Sequence, residues 1–178
     1  MNLQVATLAG GCFWCLEAVF EHVRGVQSVE NGYSNGHAQS PTYEQVCRGD
    51  TGHAEVVRIT FDADVISFAQ LLDIFFTIHD PTTLNRQGND VGTQYRSGIY
   101  FHTPAQQAQA REALLDLERK HVYTDPIVTE VEPVRNYSAA ERYHQHYFAQ
   151  HPEQGYCAMV VAPKVEKFRK TFREFYIG

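Results

Sequence analysis

Residues 3–23 read LQVATLAGGCFWCLEAVFEHV, and the hydrophobic period changes in the middle of that stretch. Residues 3–9 are a short apolar run closed by Gly10-Gly11, which predicts a buried strand. From Phe13 the apolar positions Leu16, Val19, Phe20 and Val23 recur at helical spacing, and Gly25 stands where a C-cap belongs. Val26 and Val29 begin a second strand before the turn-rich stretch Asn31 to Pro41.

The next strand is the clearest. In AEVVRITF, residues 54–61, Glu55, Val57, Ile59 and Phe61 share one face, and Ala54, Val56, Arg58 and Thr60 share the other. Ser67 with Gln70 makes a capping box ahead of Phe68, Leu71, Leu72, Phe75 and Ile78. The 17 residues from Asp80 to Arg96 carry no period, and loops of that length are usually functional. A strand at 98–102 is followed by Thr103-Pro104, the cap and first-turn proline of another helix. A strand near 127–134 and a helix from Ala139, capped by Ser138 with Glu141 as its fourth residue, complete the body. A mobile tail, Pro152 to Ala162, precedes a final helix from Lys164. Strand, helix, strand, strand, helix, strand is the order of a split βαβ unit. The expected class is therefore α+β, a ferredoxin-like two-layer sandwich with a long functional loop and an irregular C-terminal tail.

A chain of 178 residues fits one domain, so a single catalytic domain over 1–178 is expected. A domain of this size buries roughly 70% of its unfolded surface, enough for a core without disulfide staples. The net charge of -6 argues against a phosphate-binding nucleic-acid partner. The one basic cluster, Lys164, Lys167, Arg169, Lys170 and Arg173, reads as a solvated helix face. No run approaches the ~20 apolar residues of a membrane span, and the N-terminus lacks the pattern of a signal peptide. The cytoplasm is the expected compartment, and a monomer the expected state.

Four cysteines, Cys12, Cys15, Cys47 and Cys157, point in such a chain to thiol chemistry rather than a disulfide framework. With no second C-x-x-C and no H-x₃-H, no metal site is expected. Cys12 lies where a strand meets a helix start, so the free N–H groups of the first turn point at its sulfur. Such a position can lower a thiol pKa from about 8.5 into the range of roughly 3.5–7.5. The plainer reading makes Cys12 a small buried hydrophobe. Phe13 and Trp14, the only tryptophan, are either the apolar face of their helix or a wall holding an apolar group beside the sulfur. Glu55 shares a face with Val57, Ile59 and Phe61, so it is expected to be buried, with a raised pKa suited to a general acid near pH 7. His53, in an apparent turn, is a weaker candidate for the same role. Cys47 reads as buried and structural.

Four blocks carry a resemblance: GCFWC at 11–15, SPTYEQVCRGDTGHAE at 40–55, DVGTQYRSGIYF at 90–101 and GYCAMVVAPKVEKFRKTF at 155–172. In their order and spacing they resemble peptide methionine sulfoxide reductase type A, over about residues 5 to 175. The resemblance implies reduction of the S epimer of methionine sulfoxide, free or in proteins. It places the nucleophile on Cys12, the proton donor on Glu55, the oxygen-binding tyrosines on Tyr43 and Tyr95, and a supporting aspartate on Asp90. Phe13 and Trp14 fall on the pocket for the substrate methyl. A resolving thiol is implied near Cys157, with Cys15 as its competitor; glycine is commoner in the family at position 15, so the relay order stays open. No organic or metal cofactor is implied, only an external thiol reductant, thioredoxin or dithiothreitol. Asn136-Tyr137 and Arg142 depart from the family's usual residues, away from the reacting groups.

Two other readings compete. A thioredoxin-like dithiol oxidoreductase would use Cys12 and Cys15 and leave Tyr43 and Tyr95 without purpose. A non-catalytic peptide-binding module would use only the aromatic pocket.

Overall fold

The computed structural model describes residues 1–178. The first apolar run forms β1 (Leu3–Gly10), and α1 (Phe13–Phe20) starts after two residues with Cys12 as its N-cap. There follow β2 (Val26–Ser34), α2 (Tyr43–Cys47), β3 (Ala54–Asp62) and α3 (Phe68–Ile78). A two-residue ladder, β4 (Arg86–Gln87) and β5 (Asp90–Val91), leads to β6 (Ser97–Phe101), α4 (Pro104–Arg119) and β7 (Glu130–Pro133). The chain closes with β8 (Ser138–Ala139), α5 (Tyr147–Gln150) and α6 (Ala162–Thr171).

Local chemistry sets the helix starts. The Ser67 hydroxyl accepts from the Gln70 N–H while the Gln70 side chain accepts from the Ser67 N–H. At the start of α4 the Thr103 hydroxyl accepts from the Gln106 N–H, with Pro104 in the first turn. A second reciprocal pair, Thr42 and Gln45, starts the short α2.

The sheet runs in the order β7-β6-β1-β3-β2-β8. Its middle four strands pair antiparallel, which is the ferredoxin-like arrangement read from the element order. To this, β7 adds parallel to β6 and β8 antiparallel to β2. The alternation of β3 holds. Val57, Ile59 and Phe61 enter the main core with Phe13, Leu16 and Phe20 of α1, Leu71 and Phe75 of α3, and Phe168 of α6. Ala54 and Val56 face the other way, packing with Tyr100 beneath Val134 and Tyr137. Arg58 lies on that face too, its guanidinium 4.3 Å from the Tyr137 ring centre. Each buried Phe or Leu contributes roughly 1.5–3 kcal/mol against about 1 for a cap. Packing, not capping, holds the layers together.

Four expectations fail. No helix starts at Ala139: Ser138 and Ala139 pair with β2, and Glu141 opens a 3₁₀ turn at Arg142–His144. The tail from Pro152 turns helical at Gly155 and runs through a π-helical turn, Cys157–Val161, into α6, so Cys157 is buried and ordered. Asn31 to Ser34, expected as turn, continue β2. Gly25 does not cap α1, which ends at Phe20; it opens β2 at φ 93 with Ile66 close behind.

Candidate active site

Gly10 and Gly11 let α1 begin hard against the sheet. Gly11 has φ 94, and a Cβ there would sit 2.6 Å from Gln87 Cγ; one on Gly10 would meet Phe75 at 2.9 Å. The turn presents Cys12, partly exposed, at the head of α1. Directly opposite, the Phe13 N–H donates to Glu55 Oε1 over 3.1 Å. One free amide of the helix start is therefore spent on the carboxyl.

Glu55 sits on β3 opposite Tyr33 of β2 and is 1% exposed. Burial pushes its carboxyl up to about 8, the Asp90 charge adds to the rise, and the Phe13 N–H opposes it. Its acid form therefore predominates at pH 7, as its place on the apolar face of β3 suggested.

Cys12 departs from its expectation. Burial, then the charges of Glu55 and Cys15, push its thiol well above the ordinary value, against the Trp14 N–H and the Tyr156 hydroxyl that pull it down. The helix start is present, but loss of water outweighs it. Because Glu55 is itself neutral at pH 7, its charge enters only at alkaline pH.

The other predicted residues converge on this point. Asp90, on β5, accepts a hydrogen bond from the Tyr156 hydroxyl at 2.5 Å. Tyr95, in the 3₁₀ turn Thr93–Tyr95, has its hydroxyl raised by burial and then by the charges of Glu55, Cys12 and Asp90. Tyr43 opens α2; its N–H donates to Glu141 Oε2 at 2.8 Å and its ring meets His144 at 4.3 Å. Burial holds the Tyr43 hydroxyl neutral as well. Trp14 is stacked on Tyr147 at 3.8 Å with 6° between planes, and Tyr156 meets its edge at 6.0 Å. Phe13 is 0% exposed, its ring against Tyr33 and His144, so it forms the floor of this wall and Trp14 its face.

The three inner thiols share one environment. Cys15 and Cys157 are both buried and pack with Ala18 and Val161, and Cys12 lies against the same cluster. Cys15 Sγ is 4.0 Å from the Tyr156 hydroxyl. Cys47 is a correction: it is exposed, because its neighbour Val46 is the residue of α2 that turns inward. His53 is buried, but both ring nitrogens are engaged by backbone, Gly36 N–H at 3.1 Å and Ala38 carbonyl at 2.7 Å, so it has no proton to give at the site.

Sequence reasoning missed Tyr156 and Glu141. Tyr156 touches Asp90, Cys15 and Trp14 at once; it lay inside the GYCAMVVAPK block without a role. Glu141 bonds the Tyr33 hydroxyl at 2.8 Å as well as the Tyr43 N–H, so it braces one tyrosine with the help of another. A cavity of about 1050 Å³ between α3, α4 and α6 reaches this region only through Gln87 and His79 and contains none of the reacting groups.

Residues 4–176 match the family model described as peptide methionine sulfoxide reductase. The chain is 58% identical over 172 residues to the peptide methionine sulfoxide reductase MsrA of Polynucleobacter asymbioticus, covering 97% of this chain and 90% of that one. It is also similar to Mxr1 of Saccharomyces cerevisiae in reduced form, with a TM-score of 0.80 at 36% identity over 88% of this chain and 90% of that one. A structure of Mxr1 in complex with Trx2 matches at a TM-score of 0.56 and 26% identity, over 82% and 85% of the two chains.

Proposed function

The chain belongs to the peptide methionine sulfoxide reductase family, and on that premise we propose that it reduces methionine S-sulfoxide, free and in proteins, through Cys12. The observation that carries the reading is the buried carboxyl of Glu55, held by the helix that carries the thiol, where burial favours its acid form. Residues 1–178 act as one catalytic domain.

A sulfoxide sulfur is a poor electrophile until its oxygen is protonated. Glu55, neutral below pH about 8, supplies that proton, and the hydroxyls of Tyr43 and Tyr95 hold the oxygen beside it. The substrate methyl lies against Trp14, with Phe13 beneath. The Cys12 sulfur attacks the activated sulfur, and its proton passes to the Glu55 carboxylate. Asp90 and the Tyr156 hydroxyl orient the rim, and the oxygen is transferred to Cys12 as methionine leaves. The thiol has become a sulfenic acid and the sulfoxide a thioether, so oxygen and electrons balance.

Cys157 then condenses with the sulfenic acid, losing water and forming a Cys12–Cys157 disulfide; Cys15 is the alternative partner. A dithiol partner of the thioredoxin class, or dithiothreitol, reopens it. The complex of Mxr1 with Trx2 supports that partner for the family. Every step uses groups of this chain and an external dithiol. No helix of the structure is long and apolar enough to cross a membrane.

Reaction of racemic methionine sulfoxide with dithiothreitol, followed by chiral separation, tests the proposal. The S form is consumed and the R form remains. Equal loss of both contradicts the proposal, as does no loss of either. The second result would favour a binding module.

A further inference from the structure

The ladder between β2 and β3 ends beside the acid. Tyr33 pairs with Glu55 and Ser34 with Ala54, and no rung follows. Strand ends fray, because backbone groups just past the last rung have lost their partners across the ladder. Here the carbonyls of Asn35 and Gly52, beyond that end, both accept from Arg96 Nη2, at 3.4 and 2.9 Å. One guanidinium nitrogen stands in for the missing rung.

The same side chain holds another part of the oxygen site. Arg96 Nη1 donates to the Thr93 carbonyl at 2.9 Å, bracing the 3₁₀ turn that carries Tyr95, and its Nε pairs with Glu130 of β7. Burial and nearby charges, Glu55 first among these, act on the Tyr95 hydroxyl, and no hydrogen bond fixes it. Its position is therefore set by the turn beneath it. The side chain of Arg96 is 13% exposed, so its bonds are made largely out of water. A planar fork serves acceptors on three loops at once; a lysine ammonium, a point charge, does not reproduce that span.

We propose that Arg96 is a positioning residue for the reduction. By tying the Tyr95 turn to the end of β3 that carries Glu55, it aims the Tyr95 hydroxyl at the oxygen that Glu55 protonates. Its own bonds go to backbone carbonyls and to Glu130, so it acts through Tyr95 and not on the substrate. A displacement of about 1 Å at such a site can cost on the order of 10² in rate. The role rests on the proposed sulfoxide reduction.

Arg96→Lys and Tyr95→Phe, singly and together, are compared with the parent by single-turnover release of methionine from methionine S-sulfoxide. Arg96→Lys should lower the rate at least tenfold. In the Tyr95→Phe background no hydroxyl is left to aim, and the same change should cost less than threefold. A purely structural loss would multiply equally in both backgrounds. A loss under tenfold in the first comparison, or of threefold or more in the second, overturns the role of Arg96 alone. An inactive parent contradicts the proposed function, and the role of Arg96 with it. Should Arg96→Lys not fold, Glu130→Gln takes its place, since it keeps an acceptor but loosens the pair. A loss of at least threefold against the parent, and none beside Tyr95→Phe, is then expected; any other pair of results overturns the role.

Discussion

The amide of Phe13 and the carboxyl of Glu55 are joined by a 3.1 Å hydrogen bond across 42 residues of sequence. The helix that presents the nucleophile therefore fixes the acid, and the two are placed by one turn of backbone. An amide in place of the carboxyl keeps that bond. Glu55→Gln should fold normally yet lower the single-turnover rate by roughly 10²- to 10⁴-fold, the usual worth of a positioned general acid. Rapid-quench measurement of methionine release checks this, and a fall under tenfold would remove Glu55 from the role.

The pH dependence follows from the same carboxyl. Its pKa is raised to about 8, so the acid form is lost, and the rate should fall, as pH rises through that value. Asp90 contributes to the rise by its charge. Asp90→Asn should therefore move the alkaline limb to lower pH while keeping an acceptor for the Tyr156 hydroxyl. A limb that stays in place in this variant would show that another group governs it.

Stability should carry the mark of two buried carboxyls. Glu17 is raised to about 7 and Glu55 to about 8, both mainly by burial. The folded state holds protons that the unfolded chain releases from about 4.5 upward, so this stability is present at low pH and lost as pH rises toward 8. The melting temperature should decline between pH 5 and 8.5, roughly, and Glu55→Gln should flatten part of the slope. Scanning calorimetry of both proteins across that window decides it.

The fold was readable where local rules and tertiary packing agree. Ser67 with Gln70 and Thr103 with Pro104 start helices as their sequences require, and the alternation from Ala54 to Phe61 sends each residue to the expected face. Ser138 with Glu141 has the same local signature and yields no helix. Glu141 instead bonds Tyr33 and the Tyr43 N–H, contacts about 100 residues away that no window can contain. The thiol of Cys12 shows the same division. Its place at a helix start is local and was legible; the burial that raises it comes from the whole site. Cys47 was misread because nothing in the sequence shows that Val46, and not its neighbour, faces inward from α2.

The relay divides reduction from recycling. Cys157→Ser should release one methionine per enzyme at the normal rate, then stall with thioredoxin and recover much of its rate with dithiothreitol. Cys15→Ser should cycle nearly normally. Both thiols share one buried cluster, so peptide mapping after a single turnover is the arbiter. A trapped Cys12–Cys15 bridge, with normal cycling of Cys157→Ser, would exchange their roles.

Direct capture of the oxygen tests Cys12 itself. A Cys15→Ser/Cys157→Ser enzyme is given one equivalent of methionine S-sulfoxide, a sulfenic-acid-specific nucleophile is added, and the digest is read by mass spectrometry. One methionine should form per enzyme, with the adduct on the peptide carrying Cys12. Methionine formed without that adduct, or formed equally by a chain in which Cys12→Ser is also present, would contradict the central role of Cys12.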